Sequence, residues 1–225
     1  MSGRAPAPTL VAVPVKDLDN AKQRLIPLLE PAERRALAAA MLEDVLAALV
    51  AAGLGPVCVV TKDEAVMALA DRQGIRCLVE SANRGHTEAV GLAQREAVWR
   101  GVARFLTIPG DVPCVTRAEL ERLCATLGAG PGVAFVPSLS GFGTNAALLS
   151  PPAAMPLKFG EPSFENHLET ARARGLSPVV LPLPGIGLDI DAPEDLGLLL
   201  ERGSATRSGR LVRAWDIPRR LASLG

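Results

Sequence analysis

The sequence predicts an α/β domain in which helices cover both faces of a mostly parallel β-sheet. Short runs rich in valine and isoleucine alternate along the chain with longer helical segments, as they do where helical crossovers join parallel strands. The 225 residues suffice for one sizeable domain, and the 48% that are hydrophobic can fill its core. Chemically active side chains recur just after the predicted strands, which is where such sheets bind ligands.

In the first half of the chain, strands and helices alternate without interruption. Residues 11–15 are apolar and run into a polar loop, so we predict a buried first strand. A long segment rich in alanine and leucine follows, with Pro31 at its start and Gly53 just after its end, as is usual for a helix. The next elements are predicted as strands over 56–61, 75–79 and 104–108 and as helices over 63–73 and 87–100.

In the second half the same signals recur with more loop between them. Thr116 can cap a helix, and Glu119 three residues later completes a capping box. We also expect strand structure to lead into the aspartate pair Asp189 and Asp191. The remaining elements are predicted as strands over 133–136, 145–149 and 178–183 and as a helix over 164–174.

The chain divides into three parts by composition. Residues 1–9 form a flexible arm, 10–202 the folded domain, and 203–225 an Arg-rich extension that begins with a linker over 204–209. For the extension, a solvated helix or one that packs on a second subunit is favoured over nucleotide contact, so a homodimer is left open. The arm lacks the apolar core of a signal peptide, and no apolar run reaches about 18 residues, so we expect a cytoplasmic protein without membrane contact.

Charge and cysteine usage argue against two classes of protein, nucleic-acid binders and zinc proteins. Lys+Arg 24 and Asp+Glu 24 give a formal net charge of +0, which argues against a nucleic-acid binder that depends on bulk charge. The four cysteines show no C-x-x-C spacing and therefore indicate reduced, buried thiols rather than a zinc site. Any anion must be bound by a local cluster of cations.

Such a cluster follows the first predicted strand. Lys16, Lys22 and Arg24 stand in one loop and can neutralise a triphosphate, and a guanidinium can grip two phosphate oxygens at once. The loop is no Walker A motif, because its glycines are missing. A solvated charged face is the alternative interpretation of these three residues.

Carboxylates follow two other segments that we place at the same edge of the sheet. Asp111 comes after the strand over 104–108, and Asp189 and Asp191 come near the end of the domain. Mg²⁺ prefers oxygen ligands and is held by one or two carboxylates together with water and substrate phosphates, so these aspartates suit it. Helix capping by Asp191, which precedes Ala-Pro, is the alternative.

Two Gly-containing segments lie between these charged groups. The first is the turn before Thr144, and the second leads through Gly160 into Ser163 at the start of a predicted helix. Glycine lets the backbone approach an anion closely, and amide groups at a helix start can hold a phosphate or a carboxylate. A hairpin turn followed by an ordinary helix cap is the alternative.

Five short motifs occur in a fixed order. They are Pro14-Val-Lys16 with Ala21-Lys22-x-Arg24-Leu25, Asp111-Val-Pro113, Gly143-Thr144-Asn145-Ala146, Phe159-Gly160-x-x-Ser163-Phe164-x-x-His167, and Asp189-Ile-Asp191-x-Pro193-Glu194-Asp195-Leu196. Together they resemble the 2-phospho-L-lactate guanylyltransferase family, which serves the biosynthesis of the deazaflavin coenzyme F-420. The resemblance runs over about residues 11–200, and the Arg-rich tail lies outside it.

The resemblance implies a fold, a reaction and a cofactor. The fold is the single-domain nucleotidyltransferase sandwich of the GT-A, Rossmann-like kind. The reaction couples GMP from GTP to the phosphate of a small phosphorylated acid and releases pyrophosphate, with Mg²⁺ as cofactor. The acid is left open among 2-phospho-L-lactate, phosphoenolpyruvate and 3-phospho-D-glycerate. Another nucleotidyltransferase of the molybdopterin or sugar-phosphate type, and a non-catalytic sensor of GTP or a phospho-acid, stay as alternatives.

The resemblance also implies roles for individual residues. Asp111, Asp189 and Asp191 would hold the metal, Thr144, Gly160 and Ser163 the acid, and Lys16, Lys22, Arg24 and Gly85 the nucleotide, with Lys16, Lys22, Arg24 and Asp111 as the catalytic set. The segment Gly85-His86-Thr87 stands where relatives carry Gly-Leu-Asn, so the preference for guanine is left open.

Overall fold

The protein forms one layered α/β structure, known here from a computed structural model that describes residues 8–80, 85–128 and 130–223. The strands are β1 Thr9–Pro14, β2 Val57–Thr61, β3 Arg76–Val79, β4 Arg104–Thr107, β5 Gly132–Pro137, β6 Thr144–Ser150 and β7 Val179–Val180. The helices are α1 Pro31–Ala52, α2 Glu64–Arg72, α3 His86–Trp99, α4 Arg117–Ala125, α5 Ser163–Ala173, α6 Pro193–Arg202, α7 Arg207–Ala214 and α8 Ile217–Ala222, with a 3-10 helix over Gln23–Leu25.

Within the described residues, the strands form a single sheet in the order β3-β2-β1-β4-β6-β5-β7. Neighbours pair in parallel from β3 to β4 and again between β5 and β7, whereas β6 runs antiparallel to both of its neighbours. The sheet is therefore mostly parallel, as predicted. Because β6 runs the opposite way, it begins at the edge where the other strands end.

Helices cover both faces of this sheet, which confirms the predicted α/β class. Side chains alternate between the faces along a strand. In β1, Val11 and Val13 pack with apolar side chains of α1, α2 and α4, whereas Leu10 and Ala12 pack with those of α3 and α5. Both faces are apolar because both are buried, and this explains the unbroken hydrophobic run of the first strand.

Two predictions about strands near the end of the domain are wrong. The strand predicted over 178–183 is limited to β7, Val179–Val180, because Pro182 has no N–H to donate to a neighbouring strand. The segment that carries Asp189 and Asp191 is not a strand either. It is held at the sheet edge by a side-chain contact with Asn145 and by a backbone hydrogen bond from the N–H of Ile190 to the carbonyl of Asp111 at 3.1 Å.

The predicted extension folds onto the domain. The linker predicted over 204–209 is wrong, because Thr206 caps α7 by accepting a hydrogen bond from the N–H of Gly209. Apolar side chains of α7 and α8 are buried within the chain against α1 and α6, so these helices are not solvated on all sides. Of the predicted arm, residues 1–7 lie outside the described residues and Thr9 already belongs to β1.

One arginine in α8 contacts the connection between β1 and α1. The guanidinium of Arg220 donates to the carbonyl of Leu28 at 2.9 Å and to both carboxylate oxygens of Glu33, at 2.7 and 2.8 Å. Such a two-point contact fixes the orientation of the guanidinium as well as its position. The end of the described chain is thereby attached close to its first helix.

Within the described ranges, no helix combines the length and the apolarity needed to cross a membrane.

Candidate active site

A pocket of about 360 Å³ lies at the edge where the parallel strands end. Its volume is within the usual range of small-molecule sites, roughly 300–1,000 Å³. The lining comes from the end of β1 and the connection after it, from α1, from the start of α3, from the segment after β4, and from the segment before α6. The lining residues are Pro14, Val15, Lys16, Asp17, Leu18, Asn20, Ala21, Lys22, Ala38, Met41, Leu42, His86, Pro109, Gly110, Asp111 and Asp191.

Lys22 joins the two groups of charged residues that the sequence separates. Its Nζ lies 2.7 Å from Oδ2 of Asp111 and 2.7 Å from Oδ1 of Asp191. The lysine side chain is 7% exposed, whereas those of Asp111 and Asp191 are 29% and 47% exposed, so the ammonium is inside and the carboxylates face the pocket. The convergence of cations and carboxylates at one edge is therefore present in the structure.

The electrostatics of this triad are set by burial and by mutual attraction. Burial alone would lower the pKa of Lys22, but the carboxylates of Asp111 and Asp191 outweigh it and raise that pKa above its ordinary value. Burial would raise the pKa of Asp111, and the adjacent ammonium reverses this and lowers it. Near neutral pH the lysine is thus a cation and Asp111 an anion.

The alternative role for Asp191, as a helix cap, is not what the structure shows. The carboxylate of Asp195 accepts hydrogen bonds from the N–H groups of Asp191 and Ala192, at 2.9 and 2.7 Å. The carboxylate of Asp195 therefore satisfies the N–H groups just before α6. The carboxylate of Asp191 is left to contact Lys22.

Asp189 has a different environment from the other two aspartates. Its Oδ1 accepts a hydrogen bond from Nδ2 of Asn145 at 3.0 Å, and it does not belong to the pocket lining. Burial raises the pKa of Asp189, and the nearby charges of Asp111 and Asp191 act in the same direction. The structure brings Asp189 near the triad without placing it in the same hydrogen-bonded group.

The fit of these residues to Mg²⁺ can be judged from their donor set. Asp111 and Asp191 each have a second carboxylate oxygen beside the one bonded to Lys22, and both line the pocket. Among the described residues, no three His, Cys, Asp or Glu side chains converge as a complete metal site. One or two carboxylates completed by phosphate oxygens and water are what Mg²⁺ uses in nucleotide sites, so this pair fits the ion.

Of the other predicted nucleotide-binding residues, Lys16 and Gly85 border a cavity in the described part of the chain and Arg24 does not. Lys16 is exposed and lines the pocket. Gly85 precedes α3 with φ +99, a conformation that favours glycine, and borders a small cleft beside Lys16 and His86. Arg24 is exposed in the 3-10 helix and is absent from the described pocket lining, so its contact with a nucleotide stays a prediction.

The residues predicted to bind the acid form a second, buried group at the same edge. Ser163 begins α5, and its Oγ accepts a hydrogen bond from the N–H of Thr144, the first residue of β6, at 3.0 Å. Oγ1 of Thr144 lies 2.9 Å from Nδ1 of His167. Because β6 is antiparallel to its neighbours, Thr144 at its start lies at the edge where the parallel strands end.

Gly160 belongs to a loop that is attached to both neighbouring helices. The N–H of Lys158 donates to Nε2 of His167 at 3.0 Å, and the N–H of Phe159 donates to Oγ1 of Thr87 at 2.9 Å. Gly160 follows with φ +113, a left-handed conformation that disfavours any side chain. The ring of Phe159 also meets that of His86, with centroids 4.4 Å apart, so this loop adjoins the first pocket.

Three residues important in this arrangement were not assigned a role from the sequence: His86, His167 and Asn145. Asn145 is the extra residue of a β-bulge in β6, where the partner of Pro137 is Thr144 and that of Val136 is Ala146. A bulge redirects side chains next to active sites. The polar Asn in an otherwise apolar strand is the signal that could have revealed it.

The fold is that of solved nucleotidyltransferases. A protein described as a nucleotide-diphospho-sugar transferase of Desulfovibrio desulfuricans G20 has a TM-score of 0.77 and 16% sequence identity. The likeness covers 96% of this chain and 97% of that one. At this identity the similarity concerns the fold alone, and it confirms the architecture predicted from the sequence.

Sequence relatives carry more specific names. A phosphoenolpyruvate guanylyltransferase of Rubrobacter xylanophilus is 39% identical over 191 residues, which are 85% of this chain and 93% of the relative. A 2-phospho-L-lactate guanylyltransferase of Methanothermobacter thermautotrophicus is 35% identical over 205 residues, 91% of this chain and 90% of the relative.

A family model described as "Guanylyl transferase CofC like" matches residues 9–219. The match continues through α7 into α8, so the expectation that the Arg-rich tail lies outside the family pattern is wrong. Family and relatives together cover nearly all of the described structure. The chain therefore belongs to the CofC-like guanylyl transferase family and is a nucleotidyltransferase enzyme.

Proposed function

We propose that the protein transfers GMP from GTP to the phosphate group of a small phosphorylated acid and releases pyrophosphate. The observation that carries the proposal is the contact of Lys22 with Asp111 and Asp191 in a pocket at the carboxyl edge of the sheet. Cations and carboxylates together are what a metal-bound polyphosphate requires. The names of the relatives support the class of acceptor, and they leave the acid open among phosphoenolpyruvate, 2-phospho-L-lactate and 3-phospho-D-glycerate.

In the proposed reaction, an oxygen of the acceptor's phosphate attacks the α-phosphorus of GTP in line. A new P–O bond forms between them, and the bond from the α-phosphorus to the bridging oxygen breaks, so that pyrophosphate leaves with its electron pair. A phosphate monoester is already an anion near neutral pH, so no strong general base is needed. The main obstacle is repulsion between two anions in a partly buried site.

The residues of the pocket lower that repulsion in different ways. Lys16, exposed at the pocket, is free to follow the triphosphate, whereas Lys22 is buried and adds a fixed positive charge beside Asp111. If Mg²⁺ is bound, Asp111 and Asp191 would hold it, and it would supply charge that stabilises the phosphoryl oxygens. Thr144, Ser163 and the loop at Gly160 would hold the acid.

The direct test incubates the purified protein with GTP, Mg²⁺ and each of the three acids in turn. Pyrophosphate release and a product mass equal to the acid plus GMP, less water, support the proposal. CTP, UTP and ATP in place of GTP test the guanine preference, which the Gly85-His86-Thr87 segment leaves open. Turnover with a sugar phosphate or a molybdopterin precursor instead would favour the rival nucleotidyltransferases, and binding without turnover would favour the sensor.

The substitution Asp111→Asn tests the role of the carboxylate. We expect kcat to fall by about 100-fold or more, because the group acts on charge that develops during transfer, while the KM for the acid changes little. Glu121→Gln is the matched control, since Glu121 is an exposed carboxylate in α4 that pairs with Arg117. Near-normal turnover of Asp111→Asn with Mg²⁺ present would contradict the metal assignment.

Three finer assignments accompany the proposal. A role in coenzyme F-420 biosynthesis rests on the resemblance in sequence, and loss of F-420 after disruption of the gene would support it. Cytoplasmic location and a homodimer stay predictions from the sequence, and cell fractionation and light scattering in solution are the measurements that address them.

A further inference from the structure

His167 is buried next to the proposed acid site and uses both of its ring nitrogens. The N–H of Lys158 donates to Nε2 at 3.0 Å, and Nδ1 lies 2.9 Å from Oγ1 of Thr144. A backbone amide can only donate, so Nε2 must accept and cannot carry a proton. In the neutral ring the proton is then on Nδ1, which therefore donates to Oγ1 of Thr144.

The surroundings hold the ring in this state. His167 is 1% exposed, it stacks on Phe135 with an interplanar angle of 7° and ring centroids 5.4 Å apart, and it meets the edge of Phe159. Burial, with a smaller contribution from His86, lowers the pKa of His167 to about 4, so that the ring is neutral at pH 7. The ring contacts therefore fix the orientation of His167, and the lowered pKa keeps it neutral near pH 7.

The protonation of His167 determines how the hydroxyl group of Thr144 can form hydrogen bonds. Its oxygen accepts from His167, so its own proton points elsewhere, and nothing in the described part of the chain accepts it. Oγ of Ser163 likewise accepts, from the N–H of Thr144, and its hydroxyl proton has no acceptor among the described residues. Two neighbouring hydroxyl groups are thus available as donors, which is what an anionic ligand needs.

We propose that His167 is a positioning residue: by donating from Nδ1 to Thr144, it keeps the Thr144 hydroxyl oriented as a donor to the phosphorylated acid. The inference deepens the proposed function and rests on it. In the opposite tautomer the ring would accept the hydroxyl proton of Thr144. That proton would then be lost to the ligand.

Two substitutions separate the two ring nitrogens. In His167→Asn the side-chain amide can occupy the place of Nδ1 and still donate to Thr144, whereas in His167→Gln it reaches only the place of Nε2. We expect His167→Gln to raise the KM for the acid about 10- to 100-fold, the effect of losing a hydrogen bond to a charged group. His167→Asn should stay near the wild-type KM, and the KM for GTP should not change in either variant.

A purely structural role would give a different result. Both variants would then lose kcat in proportion to their folded fraction, measured by thermal unfolding, at an unchanged KM for the acid, and the proposal would be overturned. Thr144→Val completes a double-mutant cycle. Its effect on the acid KM should not add to that of His167→Gln, because Thr144→Val removes the hydroxyl donor and His167→Gln removes the group that orients the same donor. Additive effects would contradict the link between the two residues.

The tautomer can be measured without any turnover. Nitrogen NMR of the wild-type protein shows which imidazole nitrogen carries the proton, and the chain contains two histidines, so His167→Asn assigns the signals. A proton on Nδ1 supports the proposal, and a proton on Nε2 overturns it even if the enzyme is active. If the wild-type protein releases no pyrophosphate with any acid while Nδ1 is protonated, the proposed function fails and the hydrogen-bond assignment stands.

Discussion

Lys22 is a buried cation in an unusual backbone conformation. Its φ of 56 and ψ of 44 lie in the left-handed region, which non-glycine residues adopt infrequently. Two carboxylates contact its ammonium group, and they satisfy a charge that would otherwise be costly to bury. The same residue therefore serves stability and the proposed charge screening. Lys16, by contrast, makes no ion pair within the described ranges and is exposed.

This contrast leads to a prediction about the two lysines. Lys22→Gln should lower the free energy of unfolding by about 2 kcal/mol, less than the loss of a fully buried pair, because both aspartates remain partly exposed. Lys16→Gln should leave the free energy of unfolding unchanged, since it removes no contact, and should raise the KM for GTP. Urea denaturation and steady-state kinetics measure the two effects. Equal stability of the two variants would contradict the structural role of Lys22.

Among the helices, α7 depends on a residue of α1 for its start. The carboxylate of Asp44 accepts from the N–H of Arg207 at 2.8 Å and from both the N–H and the hydroxyl of Ser208, at 2.9 and 2.7 Å. A carboxylate at a helix start satisfies unpaired N–H groups and opposes the positive end of the helix dipole. Asp44 thereby attaches a helix that is 163 positions away in the sequence.

Asp44→Ala is expected to lower the free energy of unfolding by about 1–2 kcal/mol, the usual cost of a lost cap with its charge. The rates of amide hydrogen exchange should rise more in α7 and α8 than in the sheet. Glu169→Ala, at an exposed position of α5, is the control. Unchanged exchange in residues 207–214 would contradict the attachment.

The helices were predictable from the sequence because their signals are local. Pro31 and Gly53 mark the ends of α1, and the pair Thr116 and Glu119 caps α4, as the structure confirms. The segment around Asp189 was predicted wrongly because its position depends on contacts with residues far away in the sequence, the side chain of Asn145 and the backbone carbonyl of Asp111. Contacts between distant segments leave no periodicity in either of them.

The candidate site was predictable in its charges and less so in its arrangement. Lys22 and Asp111 converge as expected, since both follow parallel strands that end at one edge, and Asp191 joins them from a segment that is not a strand. Arg24 follows Lys22 by two positions and nevertheless stands outside the pocket lining, because the chain turns at the left-handed Lys22. A single backbone dihedral of that kind cannot be read from residue types.

At the scale of the whole molecule, two histidines contribute to the dependence of stability on pH. His86 and His167 are the two histidines of the chain, and burial lowers the pKa of each from 6.5 to about 4. Between these values the unfolded chain binds protons that the native state does not, so stability falls as the pH falls. Asp189 and Glu80 act in the opposite direction, because burial raises their pKa.

We therefore expect each histidine to lower the free energy of unfolding by about 1 kcal/mol per pH unit between pH 6.5 and 5. Urea denaturation at several pH values measures this slope. His167→Asn should remove the contribution of His167 to this slope and leave the contribution of His86. A slope that is the same with and without His167 would show that its imidazole titrates normally in the native state.

The contact of Arg220 with Leu28 and Glu33 has a consequence for the order in which the enzyme becomes functional during translation. Arg220 is synthesised 192 positions after Leu28, which lies in the connection that carries Lys22. Until the ribosome has released α8, that connection lacks its last anchor, although the sheet can already have formed. A nascent chain stalled before residue 220 should therefore bind nucleotide more weakly than the full 225-residue chain.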